Sequence, residues 1–405
     1  MTVANACRAD DPPSENEKEL IEELRLRLKD KLPGGIPEDL DTDLNLNRWI
    51  RGYNGNIDDR IVQNFSEYVA SRKAADFIGK EFVDKFFEME NIAPFLPFIA
   101  SSRLQDRQFS EELNAFLFVE RAWSQPKEFI KVFKTSDYLL HCFGYSEVLL
   151  QLILNREKKQ DPSKGPVQFI VLFDLQTVNI MDYVTPSGYL KLWQLRSALW
   201  QDWFPEMCSA IYLLHPPRII SLVWSIAKLF LSEENLKRIV ICHSEKELLK
   251  HLPKWFVPKE YGGDFVNQIP PGDESGVSIR RKITSADYYK PHLHYKKYGI
   301  ERPKPSKKDI GPGEKFIIPL HVGNDKNLLL WDLTVSGEVE FCIYKEKNES
   351  ELLYPKLRLV TNKLNEEGEL LLTEDDSICL EFQNKSSYFT VKLEYSLTMA
   401  RNPKC

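Results

Sequence analysis

The spacing of apolar side chains divides this chain into three stretches with different periods. From about residue 14 to 90 the period is helical. Ser14 with Glu17 forms a capping-box pattern, and Leu20, Ile21, Leu24 and Leu28 follow at helical spacing until Pro33-Gly34-Gly35. LNLNRWIRGY predicts a second short helix and Gly52 to Gly55 a turn. Ile57, Ile61, Phe65, Tyr68 and Val69 mark one face of a third helix, which together makes a small bundle.

From about 91 to 268 strands and helices alternate. Leu113 to Val119 reads as a strand, and a helix runs through Val148-Leu149-Leu150 to Leu154. VQFIVLFDL, Val167 to Leu175, is a nearly continuous apolar run of the kind found where both sheet faces are covered, as in parallel sheets. A helix from Tyr189 to Trp203, a strand from Ile211 to Leu214, an apolar helix from Ile219 to Leu231 and a strand from Arg238 to Cys242 continue the order. Such alternation implies α/β layers.

From about 310 to 400 the period falls to two. Phe389, Val391, Leu393, Tyr395 and Leu397 alternate with Thr390, Lys392, Glu394 and Ser396. Val339 to Ile343, Phe316 to Leu320, Leu328 to Val335 and Ile378 to Phe382 supply further strands, so this part predicts an all-β antiparallel sandwich.

The run Ile219 to Leu231 stands apart, with Ser221, Ser225 and Lys228 as its only polar side chains. It is too apolar all round for a surface helix. At about 13 residues it is also too short for a bilayer, which needs about 20. Two readings remain: a buried core helix, or a lid over a greasy cavity.

Composition narrows the class. Hydrophobic residues at 42% and charged residues at 28% are ordinary globular values, and 405 residues leave room for two or three domains. A net charge of -6 argues against a general nucleic-acid partner. The seven cysteines are scattered without a C-x-x-C, so neither a disulfide framework nor a zinc site is indicated. The N-terminus has no secretory apolar core, which predicts a cytoplasmic protein and makes the N-x-S sequons at Asn64, Asn348 and Asn384 chance occurrences.

No G-x-S-x-G, P-loop, G-x-G-x-x-G or H-E-x-x-H motif occurs, so the expectation is a non-enzyme without a cofactor. His215 and His243 have no visible nucleophile beside them. His292-x-His294 lacks a third metal ligand and reads as solvated loop. Asp174, ending an apolar strand, either caps a turn or marks a site at the strand's carboxyl end. Trp193, Trp200 and Trp203 read as core and rim packing.

Between Arg280 and Lys308 ten Lys and Arg face only Asp287 and Glu301. A polybasic segment gains about 1 kcal/mol per basic residue at an anionic leaflet. Arg280, Arg281, Lys282, Lys296 and Lys297 are therefore expected membrane contacts, reversible and peripheral, with a solvated linker as the alternative.

FLSEENLKRIVI and VPKEYGGD, with Phe204-Pro205-Glu206 upstream, resemble the CRAL-TRIO lipid-binding domain, the fold of the yeast phosphatidylinositol-transfer protein. The N-terminal helices are similar to the CRAL-TRIO helical region and the C-terminal strands to a GOLD domain, a jelly-roll-like sandwich. Together, over about residues 14 to 400, they resemble the supernatant protein factor group of lipid-transfer proteins. The resemblance divides the chain into a helical region at 14–90, a lipid-binding domain at 91–268, a basic linker at 269–309 and a GOLD sandwich at 310–400.

It implies a pocket over the sheet, with Ile220, Trp224 and Phe230 on its gate helix. The family's inositol-phosphate Glu falls on Glu206, its Lys on Arg238 and its Thr on Asn235. Two N-terminal arginines are retained as Arg48 and Arg51, while a third falls on Tyr53. The Ser and Thr that hold a choline lipid's phosphate fall on Phe169 and Val171. The implied floor is more apolar, which counts against phosphatidylcholine recognition of the family's kind and leaves phosphatidylinositol or a sterol-, tocopherol- or isoprenoid-type lipid as the expected cargo. The implied function is non-catalytic lipid binding and transfer or presentation, at Golgi or endosomal membranes, in support of trafficking or lipid signalling. The alternative is an adaptor whose GOLD domain recruits a protein partner and whose pocket senses lipid.

Overall fold

The computed structural model describes residues 11–99, 106–123, 125–179, 189–218, 233–266, 281–323, 327–372 and 377–401, with a few single positions between them. Helices α1 (Glu15–Lys31), α2 (Asp43–Gly52), α3 (Asp59–Ala74) and α4 (Gly79–Lys85) form the N-terminal bundle. Helix α1 starts on the expected capping box: the Ser14 amide donates to Glu17 at 2.8 Å and the Glu17 amide to Ser14 Oγ at 3.3 Å. Leu24, Leu28, Trp49, Ile61, Phe65 and Tyr68 are buried between the helices.

The central unit runs β1 (Phe109–Ser110), β2 (Ala115–Arg121), α5 (Thr135–Glu157), β3 (Gln168–Asp174), α6 (Tyr189–Trp203), β4 (Cys208–Leu214), α7 (Glu233–Lys237) and β5 (Ile239–Cys242). Strands β2 to β5 are parallel neighbours in chain order, with β1 antiparallel at the edge. Strand β2 begins two residues later than its apolar pattern suggested, because residues 111–114 turn and Asn114 adopts φ +46°. The apolar run of β3 has the expected cause. Phe169 and Val171 pack with Phe118, Tyr145 and Trp203 on one face, while Ile170 and Leu172 pack with Leu248, Leu252 and Phe256 on the other.

Helix α8 (Leu293–Lys297) leads into β6 (Ser306–Ile310), β7 (Lys315–His321), β8 (Leu328–Val335), β9 (Val339–Lys345), β10 (Asn348–Leu359), β11 (Glu366–Leu371), β12 (Ser377–Gln383) and β13 (Val391–Ala400). They form two antiparallel four-stranded sheets, ordered β10-β9-β12-β7 and β11-β8-β13-β6. One expectation fails here. The alternation that suggested a strand from Phe389 starts only at Val391. Tyr388 and Phe389 stand in the preceding loop, 85% and 75% exposed, because Ser386 Oγ accepts both their amides and turns the chain.

The sandwich is packed into the rest of the molecule. Phe129, Tyr138 and Leu192 share one apolar cluster with Trp331, Phe341 and Leu359. Thr135 Oγ1 donates to the Val360 carbonyl at 2.7 Å, the Ser136 amide to Glu366 Oε1 at 3.0 Å, and Lys356 pairs with Glu67 at 2.9 Å. The described part of the basic segment is tied down too. Ile283 and Tyr295 are buried, Tyr295 donates to Asp332 at 2.8 Å, and Arg302 pairs with the same carboxylate. Arg281 pairs with Asp287 at 2.6 Å and Lys297 with Glu369 at 2.7 Å, while Lys282 and Lys296 are exposed. Arg280 lies outside the described residues.

Candidate functional site

Helices α5 and α6 lie over the Phe118–Phe169 face of the sheet, and a cavity of about 40 Å³ sits between them. Phe118 and Glu120 of β2 form its floor, Tyr138, His141, Cys142 and Tyr145 of α5 one wall, and Arg196 and Trp200 of α6 the other. The walls are aromatic and interlocked: Phe118 lies 5.4 Å from Tyr145, and Phe169 meets Trp200 edge-on at 5.4 Å. Arg196 forks onto Glu120 at 2.6 and 2.8 Å, which fixes the charge of α6 against β2. Burial, helped by the nearby Arg196 charge, pulls His141 down to a pKa of about 3 and keeps the ring neutral. The Cys142 thiol is pushed up to about 11 by burial, so it is not a reactive thiolate.

Pockets for drug-sized ligands hold about 300–1,000 Å³. A void of about 40 Å³ takes water or a single small group, so a larger ligand requires α5, α6 or their cover to part. Most of the cover expected from the sequence, Ile220 and Phe230 included, lies outside the described residues. Trp224, half-buried, accepts from the Lys228 amide at 3.1 Å in one helical turn.

Glu206 and Arg238, predicted as head-group residues, are brought together at the opposite, N-terminal edge of the sheet. Arg238 Nη2 donates to both Glu206 oxygens at 2.7 Å, and its Nη1 donates to the Cys208 carbonyl at 2.7 Å. Glu206 reaches this position with φ +55°, a left-handed conformation costly for a side chain with a Cβ. Asn235, on α7, accepts the Arg238 amide at 3.2 Å through its carbonyl. Phe169 begins the floor beside this pair, its amide donating to the Met207 carbonyl, and Val171 lies further along the same face, 8% exposed.

Tyr53 does not carry a cation's role. Its hydroxyl donates to the Asp202 carbonyl at 3.0 Å and accepts from Asn64 at 2.6 Å, and burial pushes its pKa up to about 12. The same turn holds Gly52 against Pro205. Arg48 is buried on Glu157 and donates to the Val167 carbonyl at 2.8 Å, and Arg51 pairs with Glu17 at 2.7 Å. Arg51 therefore ties two helices of the bundle together, and Arg48 ties the bundle to the central unit.

Asp174 and His215 meet at the carboxyl ends of β3 and β4. His215 holds Asp174 through Nδ1 at 3.0 Å and Glu245 through Nε2 at 2.9 Å, and Tyr261 donates to Asp174 at 3.2 Å. Burial works against the charged ring, but the two carboxylates outweigh it and raise the His215 pKa. With both ring nitrogens engaged, His215 is not poised as a general base. His292 and His294 are not solvated loop residues either: both turn Nδ1 to the buried Glu367, at 3.0 and 3.1 Å. Among the described residues no group of three or more His, Cys, Asp or Glu is placed to hold a metal.

The cavity residues Tyr138, His141, Glu120 and Arg196 escaped the sequence reading. The signal was present in TSDYLLHCFGYSEVLL, where Tyr138, His141 and Tyr145 lie at i, i+3 and i+7 of a helix buried along most of its length.

A parallel sheet roofed by two helices over an aromatic cavity is the architecture of an α/β ligand-binding protein. A family model for the CRAL/TRIO domain matches residues 122–263. A CRAL-TRIO domain-containing protein of Caenorhabditis elegans is 64% identical over 401 residues, covering 98% of this chain and 100% of the relative. The chain therefore belongs to the CRAL-TRIO domain family. More distant matches are a phosphatidylinositol transfer protein, SFH5, of Kluyveromyces lactis, 22% identical over 28% of this chain and 44% of that one. An alpha-tocopherol transfer protein-like protein of Homo sapiens is 38% identical over 16% of this chain and 19% of that one.

Proposed function

We propose that this protein binds a lipid between the sheet and helices α5 and α6 and carries it between membranes without chemical change. The observation that carries this reading is the aromatic-walled cavity over the Phe118–Phe169 face, closed to about 40 Å³. Two acyl chains of about 30 methylenes represent roughly 20 kcal/mol of exposure cost in water, so a carrier must enclose them during transit. On sequence grounds the apolar run at 219–231, which follows directly on β4, is the segment that opens. Relatives named for phosphatidylinositol and for tocopherol transfer support a lipid cargo and leave two head-group chemistries in play. For phosphatidylinositol, Arg238 would have to give up part of its fork with Glu206 to meet a phosphate.

The C-terminal sandwich is in this reading a GOLD-like module, and exposed Lys282 and Lys296 assist docking on anionic membranes. The exposed Tyr388-Phe389 pair favours a second role for this module as a docking surface for a protein partner. The test is transfer of labelled lipid between donor and acceptor liposomes, with native mass spectrometry of the purified protein to read its cargo. A carrier moves many lipids per protein molecule. Arg238→Ala is expected to cut phosphatidylinositol transfer at least tenfold with the fold intact. A protein that moves no lipid of any class and co-purifies with none would overturn the reading.

A further inference from the structure

Three residues that line the cavity each carry a buried polar atom with no hydrogen-bond partner among the described residues: Tyr138 Oη, His141 Nδ1 and Trp200 Nε1. Tyr138 and His141 are 2% and 6% exposed, so water at the surface does not serve them. The Cys142 thiol beside Tyr138 is a weak partner at best. Burying one unsatisfied polar atom costs about 1–3 kcal/mol, and three around one void is an arrangement that a core gains nothing from.

The chemistry of the three atoms is specific. Trp200 Nε1 only donates, Tyr138 Oη donates and accepts, and a neutral imidazole takes either role according to its tautomer. The nearest charges cancel, because Arg196 is forked onto Glu120. A site with no net charge and both donors and acceptors suits an uncharged group that can itself donate and accept. That is a hydroxyl. A phosphate would bring charge into a site with no free cation among the described lining residues, and a carbonyl could only accept.

The position matters as much. Phe118 pairs with Val171 and Glu120 with Phe173, so the cavity lies level with the carboxyl-terminal half of β3. The Glu206–Arg238 pair lies beside Phe169, where β3 begins. Phe173 lies four steps along the strand from Phe169, or about 13 Å. The two polar sites are at different ends of one apolar face.

We infer that Tyr138, His141 and Trp200 form an internal head-group site that seats the hydroxyl of a neutral lipid alcohol, which enters hydroxyl-first with its tail toward the Glu206 end. This rests on the lipid-carrier reading and names the class of cargo. The volume agrees: about 40 Å³ takes a hydroxyl and its carbon, with the tail accommodated by parting the aromatic walls.

The experiment uses the full chain incubated with liposomes containing cholesterol, α-tocopherol or geranylgeraniol, each beside its methyl ether, and phosphatidylinositol as a fourth probe. Bound lipid is read by native mass spectrometry. At least one alcohol is expected to be retained about tenfold over its ether, and Tyr138→Phe and Trp200→Phe each to erase that preference. Tyr138→Phe should also raise the melting temperature of lipid-free protein, since it removes an orphaned hydroxyl at almost constant shape. His141→Phe serves as a third variant if Trp200→Phe fails to fold. If every ether binds as well as its alcohol while phosphatidylinositol is carried, the internal site is wrong and the carrier reading stands. If water alone satisfies the three atoms, the variants will leave alcohol binding unchanged, which also overturns the inference. If no probe binds at all, the carrier reading itself falls.

Discussion

Two buried titratable residues give the fold opposite responses to pH. Burial pushes Glu366 up to about 7, against the pull of Lys134 and the hydrogen bonds of Ser136, from an ordinary value of 4.5. Between those values the folded chain holds the extra proton, so stability falls as pH rises from about 4.5 to 7 and is level above. His141, held at about 3 against an ordinary 6.5, has the reverse sign: the unfolded chain takes the proton first, and stability drops as pH falls below 6.5. Glu366→Gln is expected to raise stability at pH 8, by on the order of 1–3 kcal/mol, and to remove the slope around neutrality. Between pH 6.5 and 5 the two slopes nearly cancel in the parent, so His141→Phe, left with the Glu366 slope alone, should gain several degrees in melting temperature over that range while the parent stays level. Thermal melts across pH 4.5 to 8 check both. Neither residue's pKa shift was legible from its neighbours in the chain. Glu366 is buried by α5 from 230 positions away, and a lone His on an apolar helix face carries no mark of what packs against it.

At the scale of elements, the helices and strands that were legible are those whose burial follows one period. Strand β3 is covered on both faces and reads as an unbroken apolar run, and α3 shows its buried stripe of Ile61, Phe65 and Tyr68. Strands β10 and β11 did not show themselves. The first contains Pro355 and shifts register three times, and the second buries Glu366 and Glu367, so polar letters occupy interior places. The Glu206–Arg238 pairing was half visible, as two charged residues at element ends, but their direct fork needed the register of β4 against β5. The turn at Gly52 was visible, but its reason was not: a Cβ there would lie 2.3 Å from Pro205 Cβ. Gly52→Ala should therefore push α2 off the Phe204-Pro205-Glu206 turn and cost about 1–3 kcal/mol. Gly34→Ala, with nothing within 4 Å of the added carbon, is the matched control and should melt with the parent.

For the whole molecule, the division into a binding unit, linker and sandwich describes the sequence better than the packing. Phe129, Tyr138 and Leu192 share one apolar cluster with sandwich residues, and Asp202 at the end of α6 pairs with both Arg60 of the bundle and Arg358 of β10. A chain ending at residue 305 would expose that apolar face. It is expected to be insoluble or to unfold at least 10 °C below the full chain, and the full chain to melt in one transition. Calorimetry of both forms decides this. A truncated form that melts with the full chain would mean the shared cluster adds little.

Helix α5 has a mechanical consequence. Its 23 residues span about 35 Å as one rod. The first turn is bolted to the sandwich through Thr135 and Ser136, the middle faces the cavity, Glu147 holds Arg72 at 2.8 Å, and Glu157 holds Arg48. A beam fastened at both ends and the centre is the fixed jaw of the vice. On the proposed carrier reading, cargo would be loaded by moving the other jaw, α6, while α5 keeps the spacing of Tyr138 and His141 unchanged between the empty and filled protein.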